Sequence, residues 1–207
     1  MGKTENQPAL RVLELSLTER DTLLCLARQA IELKLQGLPL PDLQSVELSV
    51  RLQEKGSTFV TLTNGGQLRG CVGGLEATMP LAEDARIHAI AAALRDYRFH
   101  PVNFTELPDL CLEISCLSAL HPVRYHCPEE LLDALTPGID GVVIKKGNNR
   151  STFLPQVWEK IPDKAEFLSL LCNKLGYPPD FWRQERLEIL TYRVDRFHES
   201  RKSLITE

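Results

Sequence analysis

Gln67 to Glu76, QLRGCVGGLE, sets a single thiol among three glycines, with a guanidinium two residues before it. A thiolate, not a thiol, acts as a nucleophile, and a nearby cation favours it. Arg69 and Cys71 are therefore the candidate catalytic residues. Gly70, Gly73 and Gly74 would let a substrate approach the backbone closely, and their N–H groups suit an anion or a developing oxyanion. A structural alternative stands beside this one. Cys71 can be a small buried hydrophobe, with the glycines merely shaping a bulge.

A second group lies in Asp96 to Leu107, DYRFHPVNFTEL. Asp96 and Arg98 suit an ion pair fixing a helix end, and both are candidate binding residues. His100 could serve as a base for Cys71 if the fold joins them, although Pro101 biases it toward extended backbone. Glu113 is a further binding candidate, because a carboxylate at the centre of a strand either faces solvent or sits in a site. Cys111, Cys116, His121, His126 and Cys127 lack the tight Cys pairs of a structural zinc site, so no metal is assigned. There is no Walker loop, Rossmann fingerprint, G-x-S-x-G elbow or H-E-x-x-H, so no cofactor is assigned either.

The elements that must position these residues follow from periodicity. Thr18 offers an N-cap for a helix to about Leu35, with Leu23, Leu26, Ala27, Ala30 and Ile31 on one face. Val46 to Gln53 alternates like a half-exposed strand, and Thr58 to Leu62 reads as another. Asn64-Gly65-Gly66 then predicts a tight hairpin turn, which makes QLRGCVGG the returning arm. Alternation places Leu68 and Val72 on one face and Arg69 and Cys71 on the other, the latter pair separated by roughly 6.6 Å of rise. A helix entered through Pro80, Glu83 and Asp84 follows, with an apolar stripe of Ile87, Ile90, Ala91, Leu94 and Tyr97. Downstream, strands are expected at Leu110 to Ser118, Asp140 to Lys146, Ser151 to Leu154 and Leu187 to Phe197. Helices are expected near Glu129 to Leu135, after Pro155, and over Asp163 to Leu175. Without a βαβ rhythm, the pattern predicts an α+β fold with a mixed, largely antiparallel sheet flanked by helices.

The totals exclude several classes. A net charge of −4 and the absence of a basic run oppose a nucleic-acid role. The longest apolar run, Ala89 to Leu94, is too short to cross a bilayer. The polar start, GKTENQPALR, lacks the apolar segment of a signal peptide, and six cysteines then read as reduced thiols in the cytoplasm.

FVTLTNGGQLRGCVGG resembles the signature of the AMMECR family, whose hallmark hexapeptide LRGC-I/V-G corresponds to Leu68 to Gly73. The similarity continues through DYRFHPV, LEISCLS, GIDGVVI and STFLPQVWEKIPDKAEFLSLLCNKLGYPPDFW, from about Leu17 to Glu199. STFLPQVWE is similar to the bacterial branch, the AmmeMemoRadiSam system protein A. The resemblance implies one domain over 17–199, with a lead-in at 1–16 and a tail at 200–207. That domain would have larger and smaller subdomains around a cleft lined by the hexapeptide. It implies a Memo-type protein and a radical S-adenosylmethionine enzyme as partners, and it supplies no reaction. Arg69, Gly70, Cys71 and Gly73 match the hexapeptide, while Asp96, Arg98, Phe99 and Pro101 match a D-x-R-F-x-P element. His100 falls at a variable position of that element, which leaves the general base unassigned.

Two functional expectations follow. The first is an accessory component that binds a small molecule or a partner at the Arg69/Cys71 cleft. The second is an enzyme using Cys71 as a thiolate nucleophile on a small anionic substrate. The first ranks higher because no base, metal set or cofactor fingerprint accompanies the thiol.

Overall fold

Ser16, not Thr18, opens the first helix of the computed structural model, which describes residues 14–200. The Ser16 hydroxyl accepts the Glu19 N–H while the Glu19 carboxylate accepts the Ser16 N–H, a reciprocal capping box two residues upstream of the expected cap. Residues 1–13 of the expected lead-in and 201–207 of the expected tail lie outside the described residues. The chain divides into two compact units, one of residues 14–117 with 195–200 and one of residues 118–194.

In the first unit, helix α1 (Leu17–Leu35) buries Leu23, Leu26, Ala27, Ala30 and Ile31, the face its periodicity predicts. The alternating segment at Val46 to Gln53 does not form the expected strand. Ser49 instead caps a single helical turn, α2 (Val50–Gln53), by accepting the Leu52 N–H, so a local side-chain bond displaces a ladder bond. Only Leu52 of that turn is buried, and Val50 is 75% exposed. A short β1 (Lys55–Gly56) pairs with β4 (Met79–Pro80). Between them run β2 (Thr58–Asn64) and β3 (Gln67–Gly73), joined by the expected hairpin turn. Gly65 and Gly66 supply its left-handed positions, at φ 57° and 82°.

Helix α3 (Leu81–Leu94) and strand β5 (Leu110–Leu117) complete this segment of the unit. The expected stripe of α3 is corrected in part. Ile90 is buried and Leu94 packs against the core as expected, but the core face is mainly Ala82, Ala85, Ala89, Ala92 and Ala93 with Leu81, while Ile87 is exposed and Tyr97 lies beyond the helix end. Small residues win this face because the helix lies hard against β3. A Cβ at Gly70 would collide with the carbonyl oxygen of Ala92. Val60, Leu62, Leu112, Ile114 and Cys116 meet the helices from the sheet side. Burial raises the Cys116 thiol pKa far above its ordinary value, so that sulfur stays protonated.

The second unit comprises β6 (His121–Pro122), α4 (Pro128–Ala134), β7 (Gly141–Lys146), β8 (Asn149–Phe153), α5 (Lys164–Leu175), α6 (Phe181–Gln184) and β9 (Glu188–Tyr192). Its antiparallel sheet runs β6-β9-β7-β8. The core of this unit holds Val142, Ile144, Leu168, Leu171, Trp182 and Ile189, with Trp158 stacked on Phe167 at 3.6 Å. The expected single closing strand is two strands. Arg193 N–H donates to the Ser118 hydroxyl at 2.9 Å, which interrupts the ladder after β9. β10 (Val194–His198) then joins the first unit's sheet, ordered β10-β5-β2-β3. The fold is α+β, as expected.

Candidate functional site

The register of β3 decides what shares a face with the sulfur. Thr61 pairs with Cys71, Leu62 with Gly70, and Thr63 with Leu68, so Arg69 is an extra residue at a β-bulge. Paired residues point to the same side of a sheet. Leu62 and Gly70 therefore face the helices, and Thr61, Thr63, Cys71 and Leu68 face the other way. This corrects the expectation that Leu68 and Val72 anchor one face together. The bulge turns Leu68 onto the side of Cys71, where it is 45% exposed, and Val72 alone packs against the core.

Strand β5 extends the row. Thr61 also pairs with Glu113, which places Cys71, Thr61 and Glu113 side by side across three strands. Arg196 of β10 closes the row by donating from Nε to the Glu113 carboxylate at 2.8 Å. Glu113 lies two strand spacings from Cys71, about 9.5 Å, so it shares the face without touching the sulfur. Thr61 does touch it, its hydroxyl donating to Sγ at 3.4 Å.

Arg69 does not act as a free cation beside the thiol. Its Nε and Nη2 donate to Glu106 at 2.8 and 3.3 Å, and this pairing holds the Glu106 carboxyl below its ordinary pKa. Glu106 is fixed in turn by a capping box with Asn103 at the start of a 3-10 turn. The string N-x-x-E within VNFTEL is the signal that could have found this residue.

Asp96 and Arg98 form the expected ion pair, in a different role. Helix α3 ends at Leu94, and the pair clamps the backbone of Cys71 instead of the helix end. The Cys71 N–H donates to Asp96 Oδ2 at 2.8 Å, and Arg98 Nη2 donates to the Cys71 carbonyl at 3.2 Å. Arg98 grips both oxygens of Asp96, from Nε at 2.9 Å and from Nη2 at 2.6 Å. Arg98, and secondarily the Cys71 N–H, holds this buried carboxyl far below the usual carboxylate range, and the pairing raises Arg98 in return.

The glycines and the histidines take other places than a nucleophile site requires. The N–H groups of Cys71 and Gly74 are already bonded, to Asp96 and to the Thr58 carbonyl, and so are not open to an oxyanion. Side chains at Gly70 and Gly73 would collide with the Ala92 carbonyl and with Phe59, so close packing explains both. Gly74 faces the ring of His88. His88 is bound to buried Asp84 at 3.0 Å on the helix side of the sheet, opposite Cys71. No hydrogen bond joins His100 to Cys71. His100 instead lines a pocket of about 500 Å³ with Arg69, Tyr97, Arg98 and Phe99. The guanidinium carbons of Arg69 and Arg98 lie 6.0 and 5.4 Å from the centre of the Phe99 ring. Tyr97 and Phe99, as lining residues, and Thr61 and Glu106 were not expected at the site. Among the described residues, no three His, Cys, Asp or Glu side chains are placed to hold a metal ion, and no helix is long and apolar enough to cross a membrane.

A protein of Methanothermobacter thermautotrophicus is 36% identical over 193 residues, spanning 89% of this chain and 96% of its own length. One from Methanosarcina mazei is 39% identical over 171 residues, spanning 81% and 85%. The crystal structure of uncharacterized protein PH0010 from Pyrococcus horikoshii matches with a TM-score of 0.83 at 32% identity, over 90% of this chain and 94% of that one. The AMMECR1 family model matches residues 24–197, and the chain belongs to that family.

Proposed function

We propose that the chain is an accessory binding protein whose Arg69–Arg98 pocket receives a small molecule. The observation that carries this reading is the clamp on Cys71. Asp96 and Arg98 hold both backbone groups of the hexapeptide's cysteine, so the two resembling elements, LRGCVG and DYRFHP, meet beside one pocket. That pocket offers guanidinium donors and aromatic faces, while the sulfur lacks an adjacent base and its nearest expected cation is paired with Glu106. Recognition suits such a surface better than proton transfer. Its resemblance to the AmmeMemoRadiSam system protein A branch supports, as part of this proposal, a Memo-type protein and a radical S-adenosylmethionine enzyme as partners in the cytoplasm.

The test is capture of the purified Memo-type protein from the same genome, with the immobilised chain as bait. Cys71→Ser should retain capture and Arg98→Ala should lose it. Loss in the serine variant with retention in the arginine variant would exclude the accessory reading.

A thiolate enzyme is the second reading, favoured by the Thr61 hydroxyl bonded to Sγ, which stabilises negative charge on sulfur. Its measure is the rate of iodoacetamide alkylation at neutral pH. A Cys71 that reacts no faster than a free model thiol removes that reading.

A further inference from the structure

The pocket of Arg69, Tyr97, Arg98, Phe99 and His100 combines aromatic rings with guanidinium edges, and the inference rests on reading that surface as a binding site. Three of its five lining side chains are aromatic rings. Tyr97 is 96% exposed, held just past the end of α3 with its ring in solvent. Phe99 is half-buried with two guanidinium groups against its ring. Such a surface suits the stacking of a flat ring, which every π-face accepts.

Charge then limits what that ring carries. Arg69 is paired with Glu106 and Arg98 with Asp96, so the four groups sum to zero and bring no excess formal charge for a polyphosphate. Hydrogen-bond capacity is left over nonetheless. Arg98 spends Nε and Nη2 on Asp96 and Cys71, which fixes its plane and leaves Nη1 without a protein acceptor in a side chain 43% exposed. Arg69 Nη1 also lacks a hydrogen-bond partner, but it is buried, so the open donor edge is that of Arg98. A donor edge held rigid on a neutral surface selects one acceptor group by direction, where an electropositive cleft would select by total charge.

We infer that the pocket binds a flat aromatic or heteroaromatic molecule carrying a single carboxylate, its ring on Tyr97 and Phe99 and its oxygens on the free edge of Arg98. The volume of about 500 Å³ fits a one- or two-ring molecule of this class.

The experiment titrates the full chain with 2-naphthoate, its saturated analogue decahydro-2-naphthoate, and tripolyphosphate. Calorimetry gives affinity, and amide resonances of residues 97–100 give the place. Naphthoate should move those resonances and bind about tenfold tighter than either competitor, one stacking interaction's worth. Tyr97→Ala should weaken naphthoate by about tenfold with an unchanged melting temperature, and Tyr97→Phe should restore it. Equal binding of the saturated analogue, tighter binding of tripolyphosphate, indifference to Tyr97→Ala, or no binding of naphthoate at about 10 mM would each overturn the inference. If naphthoate fails while capture of the Memo-type protein still depends on Arg98, the ligand class falls and the accessory reading stands. If naphthoate binds and capture fails, the reverse holds.

Discussion

Replacing Asp96 with Asn tests the clamp directly, because the change keeps the shape of the side chain and removes only its charge and one acceptor. Four donors converge on this carboxylate: the N–H groups of Cys71 and Arg98, and Nε and Nη2 of Arg98. The Asn oxygen can serve two of them, and its NH₂ group then faces the other two, donor against donor. Each bond to a charged group contributes roughly 1.5–3 kcal/mol, but Arg98 is 43% exposed and recovers much of its loss from water. The partly buried Cys71 N–H recovers less. A net loss of about 2–3 kcal/mol at pH 7 follows, read from urea unfolding of both proteins. The pH dependence has a definite sign. Asp96 is held below its unfolded-state pKa, so its contribution is complete above the unfolded value of about 4 and declines as pH falls toward the folded one. The gap between wild type and variant should hold from pH 7 to about 5 and narrow by pH 3. A loss under about 0.5 kcal/mol, or a gap as wide at pH 3 as at pH 7, would refute the clamp.

Other substitutions probe the neighbouring parts. Glu106→Gln removes the charge that offsets Arg69, and the alkylation rate of Cys71 by iodoacetamide should rise about threefold at pH 7; an unchanged rate would mean that the guanidinium field does not reach the sulfur. Gly70→Ala drives a methyl group into the Ala92 carbonyl and should destabilise by about 1–3 kcal/mol in urea unfolding. Cys116 should resist thiol reagents in the native state while exposed Cys25 reacts, which peptide mapping after a short exposure to a maleimide would decide.

The hairpin was legible because Asn64-Gly65-Gly66 meets a local demand, two left-handed positions in succession, that few other residues satisfy. The same holds for the core face of α1, whose large residues repeat on one side. The α3 face was not legible from hydrophobic size. Alanines lie on several sides of that helix, and the side that docks is chosen by Gly70 of the facing strand, where only a residue without a Cβ admits a carbonyl. Alternation misled at Val46 to Gln53 for a related reason: a strand needs a partner edge, and Ser49 offered its N–H neighbours a bond nearer to hand.

At the candidate site, the sequence identifies residues more readily than it identifies their fields. Asp96 and Arg98 meet Cys71 through its backbone, and Glu113 shares the face of Cys71 without touching it. The bulge at Arg69 is invisible to strand periodicity, because it depends on the register with β2 and not on the order of residues within β3. Glu106, which sets the charge around Arg69, is 37 residues away and reaches it only through the turn at Asn103. A cation two positions from a thiol therefore establishes nearness along the chain and nothing about potential. The charge around Cys71 depends on the partner each guanidinium takes. Both arginines here take carboxylates and the group bonded to the sulfur is a hydroxyl, not a base, so the arrangement argues for recognition before catalysis.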